Sequence, residues 1–242
     1  MNASEVEVRS GIAGISDGVV RIESVWLDQP DNVYARLHRL LSADERARAA
    51  RFVFERDRRH FVICRGTLRE TLGANLDREP SSVTFVYGPQ GKPALPGGEL
   101  EFNVSHSAGL ALFAFSATGP VGVDVESLDR EVDAETLAAR FFSEQEAHDL
   151  LSVPSEQRRE AFFNCWTRKE SYIKAVGDGL QCPLDSFSVS LRPGEPAAMR
   201  WIQRADHNTW RIATLQPARR YVAAIATPYT PVLECAFARD AR

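Results

Sequence analysis

Residues 117–126 read ATGPVGVDVE, and this stretch divides the chain. Gly119-Pro120 interrupts any regular element. Val121, Val123 and Val125 then alternate with Gly122, Asp124 and Glu126, the period of a strand. Before the break, VVRIESVWL (19–27) reads as a first strand. SADE at Ser42–Glu45 is a capping box that opens a helical region to about Gly73, interrupted near Phe54 to Arg58. SVTFVY (82–87), EFNVSHS (101–107) and LALFAFS (110–116) read as strands. After the break comes a second capping box, SEQE at Ser143. A long helix then runs from Ser155 and ends at Gly177 and Gly179. SFSVSL, MRWIQ, TWRIAT, RYVAAIAT and VLECAFA complete the chain as strands. The expectation is an α+β fold of two halves, 1–118 and 119–242, each a small, largely antiparallel sheet packed with helices.

The bulk composition excludes several classes. With 242 residues the chain can bury a sizeable core. A net charge of −4 argues against a general nucleic-acid binder. The four cysteines show no CxxC spacing and no nearby histidine pair, which fits a reducing cytoplasm better than a zinc site or disulfides. MNASEVEVRSG has no apolar centre, so a signal peptide is not expected. Apolar runs such as LALFAF are too short to span a bilayer.

Charge usage singles out a few positions. Only Lys92, Lys169 and Lys174 are lysines among 29 Lys and Arg. A compact ammonium on a flexible stem is not interchangeable with a planar guanidinium. FNCWTRKESYIKAVG (163–177) carries two of the three. On a helix, Phe162, Cys165, Trp166, Ile173 and Val176 form an apolar stripe, and Lys169 falls near its centre. It must snorkel out or meet a charge. Glu170 and Lys174, four apart, share the stripe's edge; they are either an ordinary helix pair or part of a site. Asp124 and Glu126 project to one face of their strand. They are two surface acids, or hard oxygen ligands suited to Mg²⁺ that Glu170 could complete, with the lysines meeting phosphate oxygens. Lys92 is presented by the rigid GKP turn, either as a plain connection or as a contact. Ser105 and His106 end a strand and can donate to an anion, although a buried structural histidine competes. Arg48, Arg51, Arg56, Arg58 and Arg59 form a solvated basic face or a site for a ligand with several phosphates.

The joint order of these blocks carries more than any one of them. GKPAL, then FNVSHS, then VGVDVE, then FFNCWTRKESYIKAVGDGL closely resembles the 4′-phosphopantetheinyl transferases of the surfactin-synthetase-activator (Sfp) type. RFFSEQE (140–146) and PLDSFSV (183–189) resemble the family too, and the likeness runs from about Leu41 to Val189. It implies two similar α+β halves related by a pseudo-two-fold, with coenzyme A in the cleft between them. It also implies Mg²⁺-dependent transfer of phosphopantetheine to a serine of an apo acyl or peptidyl carrier protein, with Mn²⁺ as a possible substitute. By matching positions, Asp124, Glu126 and Glu170 correspond to metal ligands, and Glu146 to a carboxylate near the metal. Lys174 and His106 correspond to pyrophosphate contacts, and Ser105, Lys92 and Arg48 to further coenzyme A contacts. Asp124 also borders the cofactor. Many relatives carry Arg where His60 stands, which leaves a contact there, or at Arg59, open. Glu170 is the candidate base, and Lys174 and His106 stabilise charge on the leaving phosphate. Arg48 and Lys92 precede Pro120 while the acids follow it, so one chain supplies both sides and a monomer is expected. The rival classes are another Mg²⁺-dependent nucleotide enzyme, for which no Walker A loop is present, and a non-catalytic coenzyme A binder.

Overall fold

A computed structural model describes residues 15–177, 182–203 and 210–239. The first half contains β1 (Val19–Trp26), α1 (Asp31–Leu40), α2 (Ala43–Ala49), α3 (Glu55–Leu76), β2 (Val86–Tyr87), β3 (Pro93–Ala94), β4 (Glu101–Ser107) and β5 (Leu110–Ser116). The second contains β6 (Gly122–Ser127), α4 (Ala134–Phe141), α5 (Glu144–Ser152), α6 (Arg158–Val176), β7 (Phe187–Val189), β8 (Met199–Ile202), β9 (Arg211–Leu215), β10 (Tyr221–Thr227) and β11 (Val232–Ala236).

Both halves repeat one plan. In the first sheet β5 lies between β1 and β4; in the second β10 lies between β6 and β9. Every one of these pairings is antiparallel. Each half therefore runs strand, long helix, strand, strand, with the last strand central. The run LALFAF (110–115) is apolar throughout because β5 is covered on both faces. Leu110, Leu112 and Ala114 face a core shared with Val121 and with Val123 and Val125 of β6. Ala111, Phe113 and Phe115 face α1 and α3. On the far side of the second sheet, Val222, Ala224 and Ala226 pack against α6. The layers are thus helix, sheet, sheet, helix, with one apolar core joining the halves.

Four details depart from expectation. β11 leaves its own half and pairs in parallel with β1, so the first sheet closes with residues from beyond 119. The helical break falls at Ala50–Phe54, since α3 already begins at Glu55. SVTFVY yields only the two residues of β2, paired with Pro93–Ala94, because Pro80–Ser82 turns first and Pro93 offers no N–H. Helix α1, not anticipated, follows Pro30 without a side-chain cap. Gly179 and Thr209 lie outside the described residues. Ser143 and Glu146 cap α5 reciprocally as expected, with Ser143 N–H to Glu146 Oε2 at 2.9 Å and Glu146 N–H to Ser143 Oγ at 3.3 Å. Gly177, at φ 84°, ends α6 in the left-handed region.

Candidate active site

The two sheets meet edge to edge at β4 and β6, and side chains make the joint. Asn103, Ser105 and Ser107 alternate along β4 and so share a face. Asn103 Oδ1 accepts the Val123 N–H at 2.9 Å. Ser105 Oγ and Ser107 Oγ accept the N–H groups of Val125 and Ser127, each at 3.4 Å. The edge of β6 is thereby satisfied without a backbone ladder. Each hydroxyl then gives its proton to an acid: Ser105 to Asp124 Oδ1 at 2.8 Å, Ser107 to Glu126 Oε2 at 2.7 Å. Ser105 was expected to contact coenzyme A, but its only proton is directed at Asp124. Asn103 and Ser107 were not anticipated at the site, although with Ser105 they recur every two residues, as Asp124 and Glu126 do.

Helix α6 lies directly on this joint because Gly122 has no side chain. A Cβ there would come within 2.0 Å of Ser171 O and 2.4 Å of Ala175 N. The close approach sets Lys174 Nζ 2.6 Å from Asp124 Oδ1, 3.0 Å from Ser105 Oγ and 3.4 Å from the Val123 carbonyl. Lys92 arrives from the first half and donates to the Lys174 carbonyl at 2.7 Å. Burial pulls the pKa of Lys92 below the ordinary lysine value, and Glu101 opposes this. Glu170 is half-buried, and its carboxyl is pushed above the usual range. Burial is the main cause; the charges of Asp124 and Glu126 add to it, while Lys174 offsets part. His106 projects at the exposed end of β4. Neighbouring protein, then Lys174 and His60, pull the imidazole below its ordinary pKa, against Asp124.

Other expected members lie elsewhere. Lys169 and Glu146 are both fully buried and pair at 2.8 Å. Lys169 also donates to the Leu184 and Phe187 carbonyls at 2.7 and 2.6 Å, and Glu146 Oε1 accepts the Val189 N–H at 2.8 Å. Glu146 is therefore a structural anion in the core of the second half rather than a carboxylate near a metal. Lys169 cannot reach a phosphate. Arg48 is exposed on α2 and stacks over Phe61, 5.2 Å from the ring centre. Next to Phe61, His60 Nε2 lies 2.8 Å from Asp28 Oδ1. Arg59 is tied to Asp31 and to the Gln29 carbonyl, both at 2.7 Å.

No group of three or more His, Cys, Asp or Glu is preformed as a metal cage among the described residues. Lys174 meets Asp124 Oδ1, while Ser107 and Arg130 each hold one oxygen of Glu126. The donor set nonetheless suits a hard dication. Asp124 Oδ2 is buried with no hydrogen-bond partner, and Glu170 and Glu126 add carboxylate oxygens beside it. A measurable consequence follows from Glu170. Its folded pKa is raised, so its ionised form costs stability above that pKa and costs nothing below the ordinary 4.5. Glu170→Gln should therefore melt higher than the natural protein at neutral pH in metal-free buffer, with the gain vanishing as pH falls toward 4.5. Thermal melts across pH test this. A variant that melts lower at neutral pH would show that Glu170 is not strained by its neighbours.

Sequence comparison fits this geometry. Residues 25–118 match the model of the 4′-phosphopantetheinyl transferase N-terminal domain, and residues 120–226 match that of the 4′-phosphopantetheinyl transferase superfamily. The chain is 43% identical to the 4′-phosphopantetheinyl transferase HetI of Nostoc sp. over 86% of each chain. It is 31% identical to the 4′-phosphopantetheinyl transferase Sfp of Bacillus subtilis, over 71% of this chain and 77% of that one. With both halves matched and their junction built from the residues just described, the chain belongs to the 4′-phosphopantetheinyl transferase superfamily.

Proposed function

We propose that this chain transfers the 4′-phosphopantetheine arm of coenzyme A to a serine of an apo acyl or peptidyl carrier protein, releasing 3′,5′-ADP. The observation that carries the reading is the meeting of Lys92, Ser105, Asp124 and Lys174 at the β4/β6 joint, with Glu170 beside them. Asp124, Glu126 and Glu170 would hold Mg²⁺, or Mn²⁺ in its place, and the bound ion would supply positive charge to the pyrophosphate. In the transfer, the serine oxygen bonds to the β-phosphorus, the bond to 3′,5′-ADP breaks, and the serine proton leaves. Glu170 is suited to take that proton, because burial and its acidic neighbours raise its basicity. Lys174, already at the joint, meets the anion as a mobile point charge. Burial and Lys174 lower the pKa of His106, and a bound pyrophosphate would favour its protonated form. All these groups come from one chain, so the proposed active unit is a monomer. The four cysteines are free thiols, which suits the cytoplasm as the proposed location. Among the described residues, no helix is long and apolar enough to cross a membrane.

The test is to incubate the protein with a panel of apo carriers, coenzyme A and Mg²⁺, and weigh the carriers. One should gain a single phosphopantetheine group, only with a divalent metal. Coenzyme A binding without modification of any carrier would favour the non-catalytic reading. Lys174→Arg sharpens the test. Helix propensity is nearly unchanged, so the melt should be too. A planar guanidinium cannot occupy the place where Nζ lies 2.6 Å from Asp124 and 3.0 Å from Ser105. Turnover should fall on the order of a hundredfold, as for a displacement of about 1 Å. An unchanged kcat would remove the point-charge argument.

A further inference from the structure

We propose that Ser107 is a positioning residue for Glu126, holding that carboxylate toward the metal site against the pull of Arg130. The inference rests on the Mg²⁺ reading above and goes beyond it, since Ser107 touches no reacting atom. Ser105 and Ser107 lie two apart on β4; Asp124 and Glu126 lie two apart on β6. The strands share a rise of about 3.3 Å per residue, so the two serine–acid pairs are in step. In each pair the hydroxyl accepts the N–H of the residue after the acid, at 3.4 Å. A hydroxyl has one proton, so with an N–H arriving at its lone pair the proton is free to go to the carboxylate. It does so at 2.8 Å in one pair and 2.7 Å in the other.

The pairs differ in what else holds the acid. Asp124 is short, and Lys174 and Ser105 fix one of its oxygens from within the joint. Glu126 has a longer, more mobile side chain. Its second oxygen is taken by Arg130 Nη1 at 2.9 Å, and that arginine side chain is 56% exposed. Ser107 alone tethers Glu126 on the β4 side. Without its hydroxyl the carboxylate is free to turn toward the guanidinium and solvent, away from Asp124 and Glu170. Residues that orient a metal ligand from behind typically contribute about 10–100-fold to metal affinity.

The experiment titrates Mg²⁺ calorimetrically into the protein saturated with coenzyme A, with coenzyme A alone as the blank. Ser107→Ala should bind Mg²⁺ about 10–100-fold more weakly than the natural protein. Ser107→Thr keeps the hydroxyl and suits a strand, so it should bind within a few-fold. Ser107→Ala/Arg130→Gln, which removes the competing cation, should recover most of the loss. Titration below each variant's melting temperature keeps the comparison valid if the alanine variant is less stable. Wild-type affinity in Ser107→Ala overturns the proposal, as does a threonine variant as weak as the alanine, which would mean packing. If the natural protein itself binds no Mg²⁺, the metal reading fails instead, and the two failures are distinct.

Discussion

Gly122→Ala should lower stability by about 3 kcal/mol or more and cut turnover on the order of a hundredfold. The added Cβ would lie 2.0 Å from Ser171 O, 2.4 Å from Ala175 N and 3.0 Å from Ala175 Cα. All three are backbone atoms of α6, so no side chain can rotate away. Comfortable contact needs about 3.5 Å or more, so α6 must retreat from β6 by more than an ångström. The helix carries Glu170 and Lys174, and Lys174 now sits 2.6 Å from an acid two residues along the same strand. One methyl group therefore strains the packing and moves Lys174 and Glu170 away from Asp124 and Glu126. Against a total stability of about 5–15 kcal/mol the loss is large but survivable. Gly119→Ala is the control: its nearest atom, Tyr229 Cε1, is 3.8 Å away, an ordinary contact. Calorimetric melts and kcat on a carrier would be compared for both. A wild-type melt for Gly122→Ala would mean the helix does not rest on this glycine.

That glycine shows what the sequence could and could not convey. The alternation of VGVDVE placed Asp124 and Glu126 on one face, and the structure keeps them there, both buried. Nothing in the alternation announced that Gly122 completes the same face as the landing for α6. Close approach of two distant segments is a property of packing, and it leaves no local pattern. The same limit hid β11. Its strand character was legible, but pairing with β1 joins residues more than 200 apart, and register across such a gap is set by which edge remains open. Local chemistry fared better. The Ser143–Glu146 box, the Gly177 stop and the two-faced burial of β5 all follow from short-range rules.

The lysines show the same division within the site. Residue type alone grouped Lys169 with Lys174, because both require an ammonium that arginine cannot replace. Position separated them. Lys169 sits at the centre of the apolar stripe of α6, and a cation there must find an anion inside the protein. That anion is Glu146, which the family resemblance put near the metal and which the structure instead pairs with Lys169 and with the cap at Ser143. Lys174 sits at the stripe's edge and stays half-buried at the joint.

Lys169→Met should therefore act on the fold and spare the chemistry. All three ammonium protons are placed: Glu146 Oε2 at 2.8 Å, Leu184 O at 2.7 Å and Phe187 O at 2.6 Å. Methionine fits the space between Phe142 and Phe187 but leaves two buried carbonyls and a carboxylate without their cation. Breaking a buried pair from one side costs about 3–5 kcal/mol. In a chain of this size that lowers Tm by about 6–20 °C. Glu146 keeps some support from the Ser143 N–H and hydroxyl and the Val189 N–H, which places the cost toward the lower end. Adding Glu146→Gln removes the unpaired charge while retaining an amide oxygen for those donors, so the double variant should melt above the single one. Assayed well below its Tm, Lys169→Met should keep kcat and KM for coenzyme A near the natural values, the reverse of Lys174→Arg. An unchanged melt with turnover abolished would place Lys169 at the reacting phosphate, and Glu146 would then lose its standing as a structural anion. The burial of both side chains and the three short bonds of the ammonium weigh for the first outcome, because a cation so fully occupied has no proton left for a ligand.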